Sequence, residues 1–264
     1  MMVTKTAGSA CSRSLSSHTV HDTLNFPLCF CTLDIVGRHA SDASSSAVRA
    51  GALTAITMLL DSEESHAVLR ALLPSMGNLI HDKVERVRLA TVRLLHKIKS
   101  VRTIKYYHVV PVMHLIVRLA EEGKPPRNPK NPVASSLTSL MMNSYFPLEM
   151  DGVTQMKRSL SLLKTDPLAA SVFYTNLPTH MPVNSCTKLV AMLLKCISGV
   201  VEASTEHMDD DSDESDVDDS NKENGLMASN VVLMATITDT INTLWEAVST
   251  VTTCACFDYD KFLD

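Results

Sequence analysis

Glycine and aromatic residues are scarce in this chain of 264 residues, which has eight glycines and only 5% Phe, Trp and Tyr. Loops that cradle phosphates or dinucleotides need glycine where the backbone approaches the ligand. No G-x-G-x-x-G, G-x-x-x-x-G-K, G-x-S-x-G or H-E-x-x-H motif occurs. These absences exclude the common enzyme classes that carry such signatures. We therefore predict no enzyme activity, no catalytic residue, no cofactor and no metal site.

The cysteines do not form a recognisable framework. There are seven of them, irregularly spaced and without a C-x-x-C pair, which predicts reduced thiols in a cytosolic or nuclear protein. No run of 18 apolar residues occurs, so the sequence predicts no transmembrane helix and no membrane partner. Hydrophobic residues nevertheless make up 45% of the chain, mostly Leu, Ala, Val and Met. That composition favours an all-α fold with a substantial core.

The net charge of −5 is an average over two unlike parts. Residues 209–223 hold nine acids and one base and carry −8, so the remaining chain carries +3. A segment this acidic cannot bury apolar surface and is predicted to be disordered. It is either a solubilising linker or a regulatory segment. The regulatory alternative is based on Ser215 and Ser220, each followed three residues later by an acid, and on Lys222-Glu223-Asn224, which resembles a mitotic degradation signal.

From residue 41 the sequence predicts a succession of short amphipathic helices. Apolar residues recur with the helical period, and prolines and polar breaks separate the segments. The predicted organisation is a disordered leader at 1–40, helical repeats at 41–201 with a proline-rich connector at 123–132, an acidic linker at 202–225, a C-terminal helix at 226–253 and a tail at 254–264. The predicted helices cover about residues 46–60, 66–80, 84–99, from 111 onward, 133–144, 152–164, 167–175, 185–201 and 230–248.

One short pattern occurs twice. D-x5-V-R runs from Asp42 to Arg49 and recurs as D-x4-V-R from Asp82 to Arg88, with the Val-Arg pairs 39 residues apart. Leu-Leu-Pro, ending at Pro74, precedes the second copy. Each pattern places a turn with Asp before a helix that opens with Val-Arg, so Arg and Asp are expected to pair across stacked turns as a ladder. This predicts a helical-hairpin solenoid; the alternative is a helical bundle with a chance repeat.

These elements resemble the HEAT repeat, in which Leu-Leu-Pro, a turn with Asp and a Val-Arg helix start recur. The stretch SHAVLRALLPSMGNLIHDKVERVRLATVRLLHKIKSVR at 65–102 further resembles the G-two type HEAT subunit of condensin II. So do Asn-Ser-Tyr-Phe-Pro at 143–147, Phe-Tyr at 173–174 and the helix around 188–196. The similarity covers roughly residues 41–250. The resemblance implies a HEAT/armadillo-like solenoid with a disordered acidic loop.

The resemblance also implies a function. It predicts a non-catalytic scaffold subunit in mitotic chromosome condensation, found in the nucleus and on mitotic chromosomes, that binds the condensin II kleisin, the SMC subunits and double-stranded DNA. Members of the family are much longer, so this chain would be an internal fragment or a truncated gene model. The alternative function is a HEAT or armadillo peptide-binding scaffold, of the transport or phosphatase type, without DNA binding.

A basic stripe on the third predicted helix is the candidate DNA contact. Arg86, Arg93 and Lys97 lie at i, i+7 and i+11, within a narrow arc away from the apolar face. Such cations can hold DNA phosphates without reading sequence; the alternative is an ordinary solvated helix face. The candidate DNA-backbone residues are Lys83, Arg86, Arg93, Lys97, Lys99, Arg102 and Lys105.

Overall fold

The computed structural model describes the backbone of residues 35–125, 131–206 and 220–259. It describes the side chains of residues 35–125, 131–199, 201 and 231–251. Every regular element in these ranges is helical, so the expected all-α fold is confirmed. None of the helices in the described ranges has the length and apolar character needed to cross a bilayer.

The helices follow one another with short connections. They are α1 (Ser46–Leu59), α2 (His66–Leu72), α3 (Glu85–Ser100), α4 (Tyr106–Val109), α5 (Val112–Glu122), α6 (Pro132–Tyr145), α7 (Gly152–Thr165), α8 (Pro167–Asn176), α9 (Val183–Glu206) and α10 (Ser220–Tyr259). Three 3-10 segments join them, at Glu63–Ser65, Leu73–His81 and Leu177–Thr179. Residues 35–40 are helical as well.

Side-chain caps fix several helix starts. The side chain of Ser45 accepts from the N–H of Val48 at the start of α1. The side chain of Asp151 accepts from the N–H of Thr154 at the start of α7. Asn131 and Asp166 cap α6 and α8, and each is followed by a proline in the first helical turn. A cap satisfies amide groups that have no partner within the helix, and a proline there forfeits no hydrogen bond. These local signals explain why the predicted and observed starts agree closely.

The helices form two layers. In the first layer α1 packs on α3, α3 on α6, α6 on α7, and α7 on α9. In the second layer the segment Leu73–His81 packs on α5, α5 on α8, and α8 on α10. The layers are joined by packing of α5 on α6, of α7 on α8, and of α9 on α10. This arrangement of successive hairpins is consistent with the expected helical solenoid.

The core lies between these layers. On α3 the buried residues include Val87, Leu94 and Ile98, which recur at i, i+7 and i+11 and so share one side of the helix. The largest fully buried side chains are Tyr174, Phe146 and Phe173. On α9 the apolar stripe at 185–201 fits either a core face or a partner groove from sequence alone. Its members Cys186, Leu189 and Leu193 are buried and belong to the core, whereas Leu194 and Val201 are exposed.

The predicted helix at 66–80 is divided in the structure. It ends as α-helix at Leu72 and continues as the 3-10 segment Leu73–His81. Pro74 supplies no amide hydrogen, which weakens the α-helical pattern at this point. Gly77 packs against the carbonyl of Val109, and a Cβ built on Gly77 would lie 2.3 Å from that oxygen. Pro111 is the N-cap of α5 rather than part of its first turn.

The helices also extend further than the sequence predicts at both ends of the chain. Residues 35–40, assigned to the disordered leader, are helical, and Ala40 is buried. The acidic linker at 202–225 is shorter than expected because α9 continues to Glu206 and α10 begins at Ser220. Helix α10 also continues to Tyr259, into the expected tail. The rest of the leader, residues 1–34, and the core of the acidic run, residues 207–219, lie outside the described residues.

Candidate functional site

Arg49 and Asp82 form the first rung of the charge ladder. The guanidinium binds the carboxylate in two places, with Nε 2.8 Å from Oδ2 and Nη2 3.0 Å from Oδ1. The Nη1 atom of Arg49 donates to the carbonyl of Asp42 at 2.9 Å. The Arg49 and Asp82 side chains are 14% and 8% exposed. A bidentate pair of this kind has a fixed geometry, so it joins α1 rigidly to the turn before α3.

Arg88 continues the ladder to Glu122, a residue that the sequence pattern did not indicate. Its Nε donates to Oε1 of Glu122 at 2.8 Å, and its Nη1 donates to the carbonyl of Asp82 at 3.0 Å. Glu122 also forms an ion pair with Arg118 at 3.0 Å and accepts from Nδ2 of Asn131 at 2.7 Å. Its position in the sequence could have indicated Glu122, because it follows Asp82 by 40 residues, just as Asp82 follows Asp42 by 40 residues.

The surroundings of Asp42 and Asp82 favour their ionised form. Burial opposes ionisation of Asp82, but the hydrogen bonds from Arg49 and from the N–H of Val84, with the nearby guanidinium charges, hold the pKa of Asp82 below its ordinary value. The pKa of Asp42 is lowered by hydrogen bonds from Ser45 and Ser44. Each acid is thus committed to a structural partner. Arg49, Asp82 and Arg88 hold successive hairpins together, whereas the carboxylate of Asp42 only accepts from Ser44 and Ser45 within its own turn.

The outer face of α3 is free by contrast. Arg86 and Arg93 are exposed, and neither has a hydrogen bond or an ion pair among the described residues. The same holds for the side chains of Lys83, Arg102 and Lys105, which lie before and after α3. The structure thus leaves five of the seven predicted DNA-contact residues with their charges directed to solvent.

Lys97 and Lys99 have structural partners instead. Lys97 forms an ion pair with Asp61, which follows α1. The ammonium group of Lys99 donates to the carbonyl of Leu140 on α6 at 3.0 Å, and burial lowers the pKa of Lys99. Both lysines therefore link α3 to its neighbours in the first layer. Sequence spacing placed Lys97 on the same stripe as Arg86, with Lys99 as an additional nearby base, but it could not show which charges the next helix would take up.

His81, His96 and His114 form hydrogen bonds between hairpins. His81 Nε2 lies 3.1 Å from His114 Nδ1, and His96 Nε2 lies 2.9 Å from the carbonyl of Ser136. In the ranges that the structure describes, no group of three or more His, Cys, Asp or Glu residues could hold a metal ion.

The regulatory candidates lie at the edge of the described chain. Ser215 is outside the described residues. Ser220 is the first residue of α10, and Lys222, Glu223 and Asn224 follow in the same helix. The sequence predicts disorder for this segment, whereas its backbone is helical from Ser220; the degradation-signal interpretation stays a prediction.

Together these observations define an all-helical, two-layer scaffold in which the buried arginines are neutralised, while Arg86 and Arg93 on the outer face of α3 have no partner among the described residues. No protein-family model matches the chain, and no solved structure matches it. The chain is 30% identical over 220 residues to condensin-2 complex subunit G2 of Homo sapiens, covering 81% of this chain and 18% of the relative. It is 29% identical over 219 residues to the Mus musculus subunit, with coverages of 81% and 18%. It is 28% identical over 215 residues to the Danio rerio subunit, with coverages of 79% and 18%.

These matches confirm the resemblance seen in the sequence. Over about four fifths of its length the chain is related to the condensin II G2-type subunits. It spans 18% of the length of the curated relatives named above.

Proposed function

We propose that this chain is a non-catalytic scaffold segment of a condensin II complex. It acts in mitotic chromosome condensation, in the nucleus and on mitotic chromosomes, by contacting DNA and the kleisin subunit of a complex that contains two SMC ATPases. The relatives are named as subunits of a complex rather than for a reaction. The observation that carries the DNA part is the contrast between the neutralised ladder arginines and the free pair Arg86 and Arg93.

The proposed DNA contact is to the phosphate backbone. Arg86 and Arg93 are seven residues apart on α3, which places them about 10 Å apart along the helix axis. Neither is fixed by another side chain in the described structure, so both can follow the spacing of the phosphates. Contacts of this kind position a protein on DNA without reading base sequence, and their strength depends steeply on salt. Lys83, Arg102 and Lys105 would extend the contact at the two ends of α3.

The proposed kleisin contact is supported by exposed apolar side chains on the second layer. Met113 and Val117 lie one turn apart on α5, and Leu168 lies on the neighbouring helix α8. An extended peptide can cover such positions with its own apolar side chains. A HEAT or armadillo scaffold for other peptides would use the same residues, so the kleisin contact must be tested by the identity of the partner.

The DNA part is tested by fluorescence anisotropy with a 30-base-pair duplex at several salt concentrations. The Arg86→Ala/Arg93→Ala variant is expected to bind more weakly and to reduce the slope of log affinity against log salt by about 2. The matched control is Arg70→Ala/Lys124→Ala, because these cations already hold Thr103 and Glu121. Binding that does not depend on salt, or an equal loss in the control variant, would contradict the proposal.

The complex is tested by immunoprecipitation of the endogenous protein from dividing cells, followed by mass spectrometry. Recovery of a kleisin and two SMC ATPases is the expected result. A preparation that contains other peptide partners and no SMC protein would favour the peptide-binding scaffold.

Regulation by phosphate is a separate part of the proposal. Ser220 begins α10, where a phosphate would be favoured by the helix dipole, and Ser215 lies in the acidic run just before it. Added negative charge there would compete with DNA for the basic side chains. Phosphosite mapping in mitotic cells is expected to find both serines modified, and unmodified serines would exclude this part.

A further inference from the structure

Two helices outside the predicted stripe carry cation pairs with the same spacing as Arg86 and Arg93. Helix α7 has Lys157 and Lys164, seven residues apart, and α9 has Lys188 and Lys195, also seven apart. All four lysines are exposed. None of them has an ion pair or a hydrogen bond to another residue within the described ranges.

The four lysines lie on the outward sides of their helices. Helix α7 buries Gln155, Ser159, Leu162 and Leu163, and α9 buries Cys186, Leu189 and Leu193. At 100° per residue, each lysine pair lies on the opposite side of its helix from these buried residues. Both helices belong to the first layer, as α3 does. Three helices of that layer therefore each carry a pair of cations, two turns apart, that points away from the core.

Acidic residues are rare on α7 and on α9 as far as residue 201, and α9 then ends with Glu202 and Glu206. Between residues 152 and 201 there are five Lys and Arg residues and one acid, Asp166. The carboxylate of Asp166 accepts from the N–H of Ala169 and caps α8, so it is committed to that helix. Helix α6, which lies between α3 and α7, has no charged residue at all. Nothing on α6 therefore repels an anion that reaches from α3 to α7 and α9.

We propose that Lys157, Lys164, Lys188 and Lys195 form a second binding site for the phosphate backbone of a nucleic-acid duplex. This inference rests on the proposed function, and it adds a path: the duplex crosses the helices of the first layer instead of following α3. Packed helices lie about 8–10 Å apart, so α9 is three packing steps, or roughly 30 Å, from α3. That distance corresponds to about nine base pairs of duplex at 3.4 Å each.

The composition of this face favours a duplex over a single strand. Single-stranded nucleic acid is held by aromatic side chains on which bases stack. Among the side chains that the structure describes, the exposed large aromatic residues are Tyr107 on α4 and Trp245 on α10, and neither lies on a cationic helix. Lysine presents a compact charge without the planar fork that arginine uses to read guanine. The site is therefore expected to bind phosphates of any sequence.

The test uses the full chain and a 30-base-pair duplex, with log affinity measured against log salt. The variant Lys157→Gln/Lys164→Gln/Lys188→Gln/Lys195→Gln is expected to lower the slope by about 0.9 for each phosphate that it no longer binds, so by about 3 to 4 in all. Replacing the same four lysines by arginine should restore the slope. The control variant Arg70→Gln/Lys124→Gln should leave it unchanged. Urea denaturation would confirm that the variants remain folded.

The possible outcomes separate this inference from the proposed function. A duplex affinity that depends on Arg86 and Arg93 but not on the four lysines would overturn the second site and leave the proposed function standing. An absence of salt-dependent duplex binding by the unaltered chain would overturn both. A separate experiment, zero-length crosslinking between lysines and acidic residues, tests a further possibility. Crosslinks from these lysines to residues 209–219 that persist when duplex is added would assign the face to the chain's own acidic run instead.

Discussion

At the scale of single residues, Glu122 is where most of the charge network converges. Its carboxylate accepts from Arg88 and Asn131 and forms an ion pair with Arg118, and its side chain is only 5% exposed. Burial lowers the pKa of Arg118, which the charge of Glu122 opposes. One carboxylate thus neutralises two largely buried guanidinium groups. Removing one partner from such a cluster costs more than the cluster contributes, because it leaves buried charge without compensation.

Replacing Glu122 by Gln is therefore expected to reduce the free energy of unfolding by about 3–5 kcal/mol. The glutamine keeps the size of the side chain and removes its charge, so packing changes little. Asp61→Asn is the control, since its ion pair with Lys97 is exposed and is expected to contribute less than about 1 kcal/mol. Urea denaturation measures both values. Equal losses in the two variants would show that Glu122 has no special place in the network.

His180 predicts a dependence of stability on pH. Burial lowers its pKa, the bond to Ser135 opposes that effect, and nearby His96 adds to the lowering. The unfolded chain then takes up a proton near pH 6.5, before the folded chain does. The contribution of His180 to the free energy of unfolding is therefore constant above about pH 6.5 and falls as the pH drops from there to the lower pKa of the folded state. In the His180→Gln variant, the free energy of unfolding should fall less than in the unaltered chain when the pH is lowered from 7.5 to 5. Urea denaturation at each pH measures this. His108 is exposed, so His108→Gln is the control. An equal fall in the two variants would contradict the assignment of this pH dependence to His180.

At the scale of secondary-structure elements, two glycines have opposite roles. Gly77 lies in the 3-10 segment, where a Cβ would be 2.3 Å from the Val109 carbonyl. Gly51 lies inside α1, and nothing is within 4 Å of the Cβ position. The first glycine permits the close approach of two hairpins, while the second only weakens a helix.

Substitution by alanine should therefore change stability in opposite directions at these two sites. Gly77→Ala is expected to lower the free energy of unfolding by about 1–3 kcal/mol, because the backbone of α4 must move. Gly51→Ala is expected to raise it by about 0.5–1 kcal/mol, because alanine loses less conformational entropy in a helix. Thermal unfolding of the pair provides the measurement. A stabilising Gly77→Ala would mean that the close approach to Val109 does not limit the packing.

The elements that sequence predicted well are those with local signals. Helix α3 was expected at 84–99 and runs over Glu85–Ser100, because its apolar residues recur with the helical period over four turns. The four-residue helix α4 is too short to show any period. The 3-10 segment depends on Val109, a partner about 30 residues away, that no local pattern reveals. Glu122 was missed because it replaces the Asp of the earlier copies and no Val-Arg pair follows it.

At the scale of the whole molecule, the two halves of the array are held together differently. The arginine ladder links α1, α3, α5 and the start of α6. In the described part of α7–α10 no arginine pairs with a carboxylate. There, Phe173 packs edge-on against Tyr145 and Tyr174, and the Tyr174 hydroxyl donates to the carbonyl of Ser159 at 3.3 Å. The first half therefore depends on charge pairing and the second on apolar packing.

This difference predicts a local response to loss of charge. In solenoid arrays each unit contacts only its neighbours, so a defect is felt nearby. The substitution Asp82→Asn is expected to increase amide hydrogen exchange in α1 and α3 several-fold, while α9 and α10 keep their protection. Mass spectrometry of exchange after pepsin digestion measures each helix separately. A uniform increase along the chain would show that the array unfolds as one cooperative unit.

The bond between Glu122 and Asn131 has a further consequence. It closes the proline-rich connector at its base, since Glu122 ends α5 and Asn131 caps α6. The chain enclosed by this bond can change in length without altering the two helices, because its ends are already fastened. The connector is thus a natural insertion point. A fluorescent or affinity label placed there would report on the protein in a living cell while leaving both layers and the basic face as they are.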